Sequence, residues 1–111
     1  MKLVAALIRP FKLDDVRRAV ADLGLHGVTV TEVQSYGEES RAEFYRAAEY
    51  RFDFVAQTKI ELAVEETVVE PVIEAICNVT RTGARGDGSI YVSELGQVVR
   101  IRTGETGSAA L

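Results

Sequence analysis

The sequence predicts an α+β fold, a ferredoxin-like split β-α-β sandwich with one long protruding loop. Two observations carry that expectation. Strand-like and helix-like runs follow one another in the order strand, helix, strand, long loop, strand, helix, glycine loop, strand, short strand, which is two β-α-β units in tandem. Apolar residues also fall on both faces of the expected sheet, since Ala5, Leu7, Val28 and Val30 cannot all point at helices, and an uncovered apolar face predicts a homo-oligomer. At 111 residues the chain is expected to be one domain, 1–111, with room for one modest core.

Each element has its own signal. "KLVAALIR" (Lys2–Arg9) is short and apolar, and Pro10 closes it, as for a buried strand. In "KLDDVRRAVADLGLHG" the residues Leu13, Val16, Val20 and Leu23 recur at helical spacing. Asp14 and Asp15 complement the dipole of the first turn, and Gly24 stands where a left-handed cap would end the helix. "VTVTEVQSY" (Val28–Tyr36) alternates as a strand does. From Gly37 to about Phe54 the periodicity fails in a charge-dense, aromatic-containing stretch, read as a mobile loop. "TKIELAV" (Thr58–Val64) is a strand. "TVVEPVIEAICNV" is a helix with a Thr67–Glu70 capping box, a stripe of Val68, Val69, Val72, Ile73 and Ile76, and a Pro71 expected to cost one hydrogen bond. "SIYVSEL" (Ser89–Leu95) and "QVVRIRT" (Gln97–Thr103) are short strands, and "GETGSAAL" is a flexible tail.

Charge and cysteine usage exclude several classes. A net charge of −4 argues against a nucleic-acid partner. One cysteine, Cys77, rules out an internal disulfide and suits a reducing, cytoplasmic setting; beside Ile73 and Ile76 it reads as a buried thiol. The apolar start ends at Arg9-Pro10, too short for a signal core or a membrane span. His26 has no second histidine and no acidic partner arranged for catalysis, and no nucleophile–base pair is evident, so no enzyme is expected.

The segment "RTGARGDGSI" (Arg81–Ile90) is the chemically suggestive one. An adhesive Arg-Gly-Asp tripeptide needs an extracellular setting that nothing else supports. Two readings then stand on composition alone: a surface turn with solvated charges, or a loop whose glycines let backbone N–H groups close on a phosphate. Arg100 and Arg102, alternating along the expected last strand, would point to one side and offer paired guanidinium contacts.

Taken together, "IRPFKLDDVRRAVADLGLHGVTVTEV", "YRAAEY", "TRTGARGDGSIYV" and "VVRIRTGE" resemble the nitrogen-regulatory P-II signalling proteins, collinearly from Met1 to about Glu105. The resemblance implies a homotrimer with adenine nucleotide (ATP, ADP or AMP) between subunits and a non-catalytic, regulatory role. It also implies a loop, about residues 37–54, that engages a membrane transporter or metabolic enzyme. The nucleotide-binding positions it implies are Thr29, Tyr36, Gly37, Glu38, Ala63, Gly86, Asp87, Gly88, Ser89, Arg100, Ile101 and Arg102. Tyr50 matches a loop tyrosine that many such proteins present for nucleotidylylation.

Several positions depart from the family pattern. Ser89 stands where lysine follows Gly-Asp-Gly, and Ala84 replaces another lysine, with Arg85 beside it. Glu38-Glu39 replaces Arg-Gln at the loop base, and Gln57 replaces the lysine that pairs with 2-oxoglutarate. Glu39 is a candidate ligand for nucleotide-bound magnesium, though its charge would repel the γ-phosphate. ADP or AMP is therefore expected to bind at least as tightly as ATP, with 2-oxoglutarate adding little. The alternatives are a sensor of another effector such as bicarbonate that regulates a non-ammonium transporter, or a trimer that binds a ligand other than a nucleotide.

Overall fold

Along the first strand Val4, Ala6 and Ile8 are buried, while Leu3, Ala5 and Leu7 between them are half-exposed, the alternation of a strand with one covered face. A computed structural model describes residues 1–36 and 54–111. Its elements are β1 (Lys2–Ile8), α1 (Leu13–Ala21), β2 (Thr29–Tyr36), β3 (Phe54–Val64), α2 (Val69–Thr80) and β4 (Gly88–Glu94). The sheet order is β2-β3-β1-β4, every neighbouring pair antiparallel. β1 and β2 are thus parallel with β3 between them, and β3 and β4 are parallel with β1 between them. This is the expected split β-α-β arrangement.

Both helices cover one face. Val16 and Val20 of α1 and Val69, Val72 and Ile76 of α2 meet Val4, Ala6, Ile8, Ile60, Leu62 and Val64 in a single core. α1 ends as expected at Gly24 (φ 84°). The Leu25 amide donates to the Val20 carbonyl and the Gly24 amide to that of Ala21, the paired bonds of a glycine-closed helix terminus. That turn swings Leu25 onto the core and leaves Leu23, expected on the apolar stripe, 42% exposed.

Other expectations need correction. No capping box forms: Glu66–Val68 make a 3-10 turn and Val68 is the N-cap, so Thr67 sits one position too early. Pro71 is then the third helical residue, where the amide has no intrahelical acceptor to lose. β3 starts four residues before Thr58, at Phe54, whose ring lies 5.7 Å from that of its cross-strand partner Tyr36. The remainder of the expected loop, 37–53, lies outside the described residues.

The helix-free face is also less apolar than expected. Val30 pairs with buried Ile60 and belongs to the helix side, while Val28 packs against the core. The register gives the open face Leu3, Ala5, Leu7, Ala63 and Val33, interleaved with Thr29, Thr31, Lys59, Glu61 and Tyr91.

The largest correction is at the C-terminal end. Gln97–Thr103 is not a strand of the sheet; Val99 makes a single bridge to Thr106. The Gly104 amide donates to the Arg100 carbonyl at 2.7 Å and the Arg100 amide to the Glu105 carbonyl at 2.8 Å, closing a turn on Gly104 (φ 74°). The tail is correspondingly organised, with a 3-10 turn at Gly107–Ala110.

Candidate functional site

The glycine loop leaves α2 at Thr80 and enters β4 at Gly88. Gly83, Gly86 and Gly88 have φ of 85°, 89° and 113°, values that side-chain-bearing residues rarely adopt. At Gly88 space matters too, since a Cβ there would lie 1.9 Å from the Leu7 carbonyl oxygen. β4 therefore begins pressed against the backbone of β1, and glycine alone permits it.

Asp87 holds this loop from inside. Its Oδ2 accepts the Thr82 amide at 2.8 Å and the Gly83 amide at 2.9 Å. Its Oδ1 accepts the Thr82 hydroxyl at 2.5 Å and Arg9 Nη1 at 2.7 Å. Arg9 Nη2 also donates to the Arg85 carbonyl at 2.6 Å. The Thr82 hydroxyl and amide foremost, with Gly83 and Arg9 adding and partial desolvation opposing, hold the Asp87 carboxyl down at about 2. The carboxylate is thus turned onto its own loop. Arg9 and Thr82 are absent from the residues singled out by sequence; the Arg9 contact spans 78 positions, and no local pattern carries it.

Beside the loop lies a cleft of about 320 Å³ between α2 and the β1–β4 ladder. Ile73, Ile76, Cys77 and Ile90 form its apolar wall, and Arg81, Asp87, Gly88 and Ser89 its polar rim. Cys77 is only half-buried, not buried as expected, because it lines this open cleft and not the core between helix and sheet. A second cleft, of about 430 Å³, lies along β2 and β3 near Pro10 and includes Glu32, Gln34 and Gln57. The Gln57 amide oxygen accepts a hydrogen bond from the Ser35 hydroxyl, leaving that position neutral and occupied.

One chain brings only part of the expected set together. Gly86, Asp87, Gly88 and Ser89 form the loop and the strand start. Arg100, Ile101 and Arg102 follow the opposite end of β4, which its seven residues put ~20 Å away. Instead of alternating along a strand, these three sit in a turn. The Arg100 Nη2 donates to the main-chain oxygen of Leu111 at 3.0 Å, and Ile101 is 98% exposed. Thr29 and Ala63 are exposed on the helix-free face, opposite Glu61 and Leu3. Tyr36 ends the far edge strand, three strand spacings or ~14 Å across the sheet from β4. Gly37, Glu38, Glu39 and Tyr50 lie outside the described residues. Among the described residues no three His, Cys, Asp or Glu side chains gather as a metal site, and no helix is long and apolar enough to cross a membrane.

Comparison with known proteins agrees with this architecture. The family model "Nitrogen regulatory protein P-II" matches residues 1–105. Nitrogen regulatory protein P-II of Rhizobium meliloti is 48% identical over the full length of both chains. Nitrogen regulatory protein GlnK of Escherichia coli is 47% identical, also over the full length of both. Among solved structures, Arabidopsis thaliana PII bound to citrate superposes with a TM-score of 0.82 at 38% identity, covering 99% of this chain and 91% of that one. With this match and the split β-α-β sheet behind its glycine loop, the chain belongs to the nitrogen regulatory protein P-II family.

Proposed function

We propose that this chain is a cytoplasmic, non-catalytic signalling trimer in which adenine nucleotide binds between copies, its phosphates held by the glycine loop of one and the Arg100–Arg102 turn of another. The segment 37–54 would relay occupancy to a target transporter or metabolic enzyme. The observation that supports this most is the separation of the two cationic halves. A preformed glycine loop stands where β4 begins, and two arginines flanking a fully exposed isoleucine follow in the chain after β4 ends, held by contacts with their own C-terminal neighbourhood. Each half is incomplete by itself, and a second copy supplies what the first lacks.

ADP or AMP is the better ligand on this reading. Ser89 brings no cation to the loop, and Glu38 and Glu39 bring negative charge to the base of the relay segment. Each missing charged hydrogen bond is worth about 1.5–3 kcal/mol, roughly tenfold or more in affinity. The neutral Ser35–Gln57 pair supports a small role for 2-oxoglutarate. The citrate held by the Arabidopsis relative favours a second reading, in which a different small anion such as bicarbonate is the co-effector and the target is not an ammonium transporter.

Light scattering should give about three times the chain mass of 12.1 kDa. Calorimetric titration with ATP, ADP, AMP and 2-oxoglutarate, with and without magnesium, then tests the ligand. Arg100→Ala and Arg102→Ala should each weaken all three nucleotides. A monomer, or a trimer indifferent to both substitutions, would sink the shared site.

A further inference from the structure

We propose that Arg9 is a positioning residue for anion binding: it neutralises Asp87 and ties the glycine loop to the end of β1, so that a polyanion meets a loop already shaped and no longer negative. The inference rests on reading that loop as the phosphate site. Three observations lead to it.

The first is what Arg9 gives to the loop. Nη1 goes to the Asp87 carboxylate at 2.7 Å and Nη2 to the Arg85 carbonyl at 2.6 Å, so one planar guanidinium grips the loop at two points. Both side chains of the ion pair are mostly shielded, with 19% and 21% of their surface accessible. The second is where Arg9 stands. Extended at φ −63° and ψ 138°, it directly follows the strand whose Ile8 faces Gly88, and Pro10 follows it. Its backbone is therefore set by the sheet on one side and by proline on the other.

The third is what Asp87 does with its oxygens. Besides Arg9 they accept two backbone amides and one hydroxyl, all from Thr82 and Gly83. That carboxylate orders the loop, but left bare it would place a negative charge where phosphate is expected to sit. Arg9 permits both functions at once: the carboxylate keeps its amides, and its charge is cancelled. Among the described residues, Arg81 and Arg85 make no ion pair and remain available to a ligand.

The test combines two readouts across wild type, Arg9→Ala, Arg9→Lys, Asp87→Asn and the Arg9→Ala/Asp87→Asn double variant. Titration with ADP and with Mg-ATP should show Arg9→Ala weakened by roughly tenfold or more, with Arg9→Lys intermediate because an ammonium cannot serve both acceptors in the same fork. The double variant should bind no worse than Arg9→Ala, since the charge that Arg9 offsets is gone. Losses that multiply would mean that Arg9 touches the ligand itself, and unchanged affinity in Arg9→Ala would mean that it does nothing; either overturns the proposal. Hydrogen exchange of the Thr82 and Gly83 amides, measured without nucleotide, supplies the second readout. Exchange should be at least tenfold faster in Arg9→Ala, and equal rates would overturn the clamp. If wild type binds neither nucleotide, the functional reading fails and exchange alone decides whether Arg9 orders the loop. Should Arg9→Ala not fold, Arg9→Lys and Asp87→Asn with their double variant carry the same cycle.

Discussion

The glycine loop and the arginine turn look alike in the sequence, each with glycine close to arginine in a polar setting, yet the fold holds them by opposite means. The loop is anchored by long-range contacts. Gly88 abuts the Leu7 carbonyl, and Asp87 is gripped by Arg9 across 78 positions. The turn is anchored to its own neighbourhood: Arg100 to Glu105, Gly104 to Arg100, and the Arg100 side chain to Leu111. On the proposed reading, a site half built into the core and half carried on a local turn would divide its work, the first half fixing geometry and the second adapting to the copy it meets.

Substitutions should separate the two halves cleanly. Gly88→Ala is expected to have the largest effect. Its positive φ alone costs about 1–3 kcal/mol, and the 1.9 Å approach to Leu7 forces β1 and β4 apart besides. Chemical denaturation should register the loss, and a variant as stable as wild type would show that the loop is not tied to the sheet. Ser89→Lys acts on ligand and not on fold: it should raise ATP affinity relative to AMP by roughly tenfold with stability nearly unchanged. Parallel calorimetric titrations would break the comparison if AMP gained equally. Gly104→Ala should cost about 1 kcal/mol for its left-handed φ of 74°, felt as faster exchange at the Arg100 and Gly107 amides and not at Thr82 or Gly83. Spread of that effect to the glycine loop would mean the halves are coupled within one chain.

The mildest test is acid. Because the Asp87 carboxyl lies below its ordinary 3.8, at about 2, the folded loop favours the ionised form. Its contribution is complete above the ordinary value and fades as the pH falls toward 2. Carboxyl titration by NMR should place Asp87 well below the ordinary aspartate value, with Thr82 and Gly83 protected until Asp87 protonates. A midpoint near 4 would detach the carboxylate from its amides.

The same contrast explains what could be read from residues alone. Val4, Ala6 and Ile8, Val16 and Val20, and Val72 and Ile76 reveal themselves by local period, and the sheet with its two helices follows from them. Period failed at Val99 to Arg102, which alternate as well as any strand. Alternation says which residues share a face; it does not say whether another strand lies alongside, and Gly104 folds this one onto its own tail. The Thr67–Glu70 pair failed for a similar reason, because a capping box needs its threonine at the N-cap and the helix here starts later. Gly86 and Gly88 were visible by composition. Arg9 was not, since nothing near Pro10 announces a partner in the loop before β4.

The position of β1 in the sheet also governs how the chain assembles in time. The first strand to be made is an inner one, and its two neighbours are residues 58–64 and 88–94. No ladder involving β1 can close until more than half the chain exists, and its second ladder waits for nearly all of it. Such distant pairings make for slow folding, because a long stretch of chain must be confined before any contact rewards it. The glycine loop acquires its shape only when that last ladder forms and Asp87 reaches Arg9. During refolding, then, protection of the Thr82 and Gly83 amides should appear no earlier than that of the β1–β4 ladder.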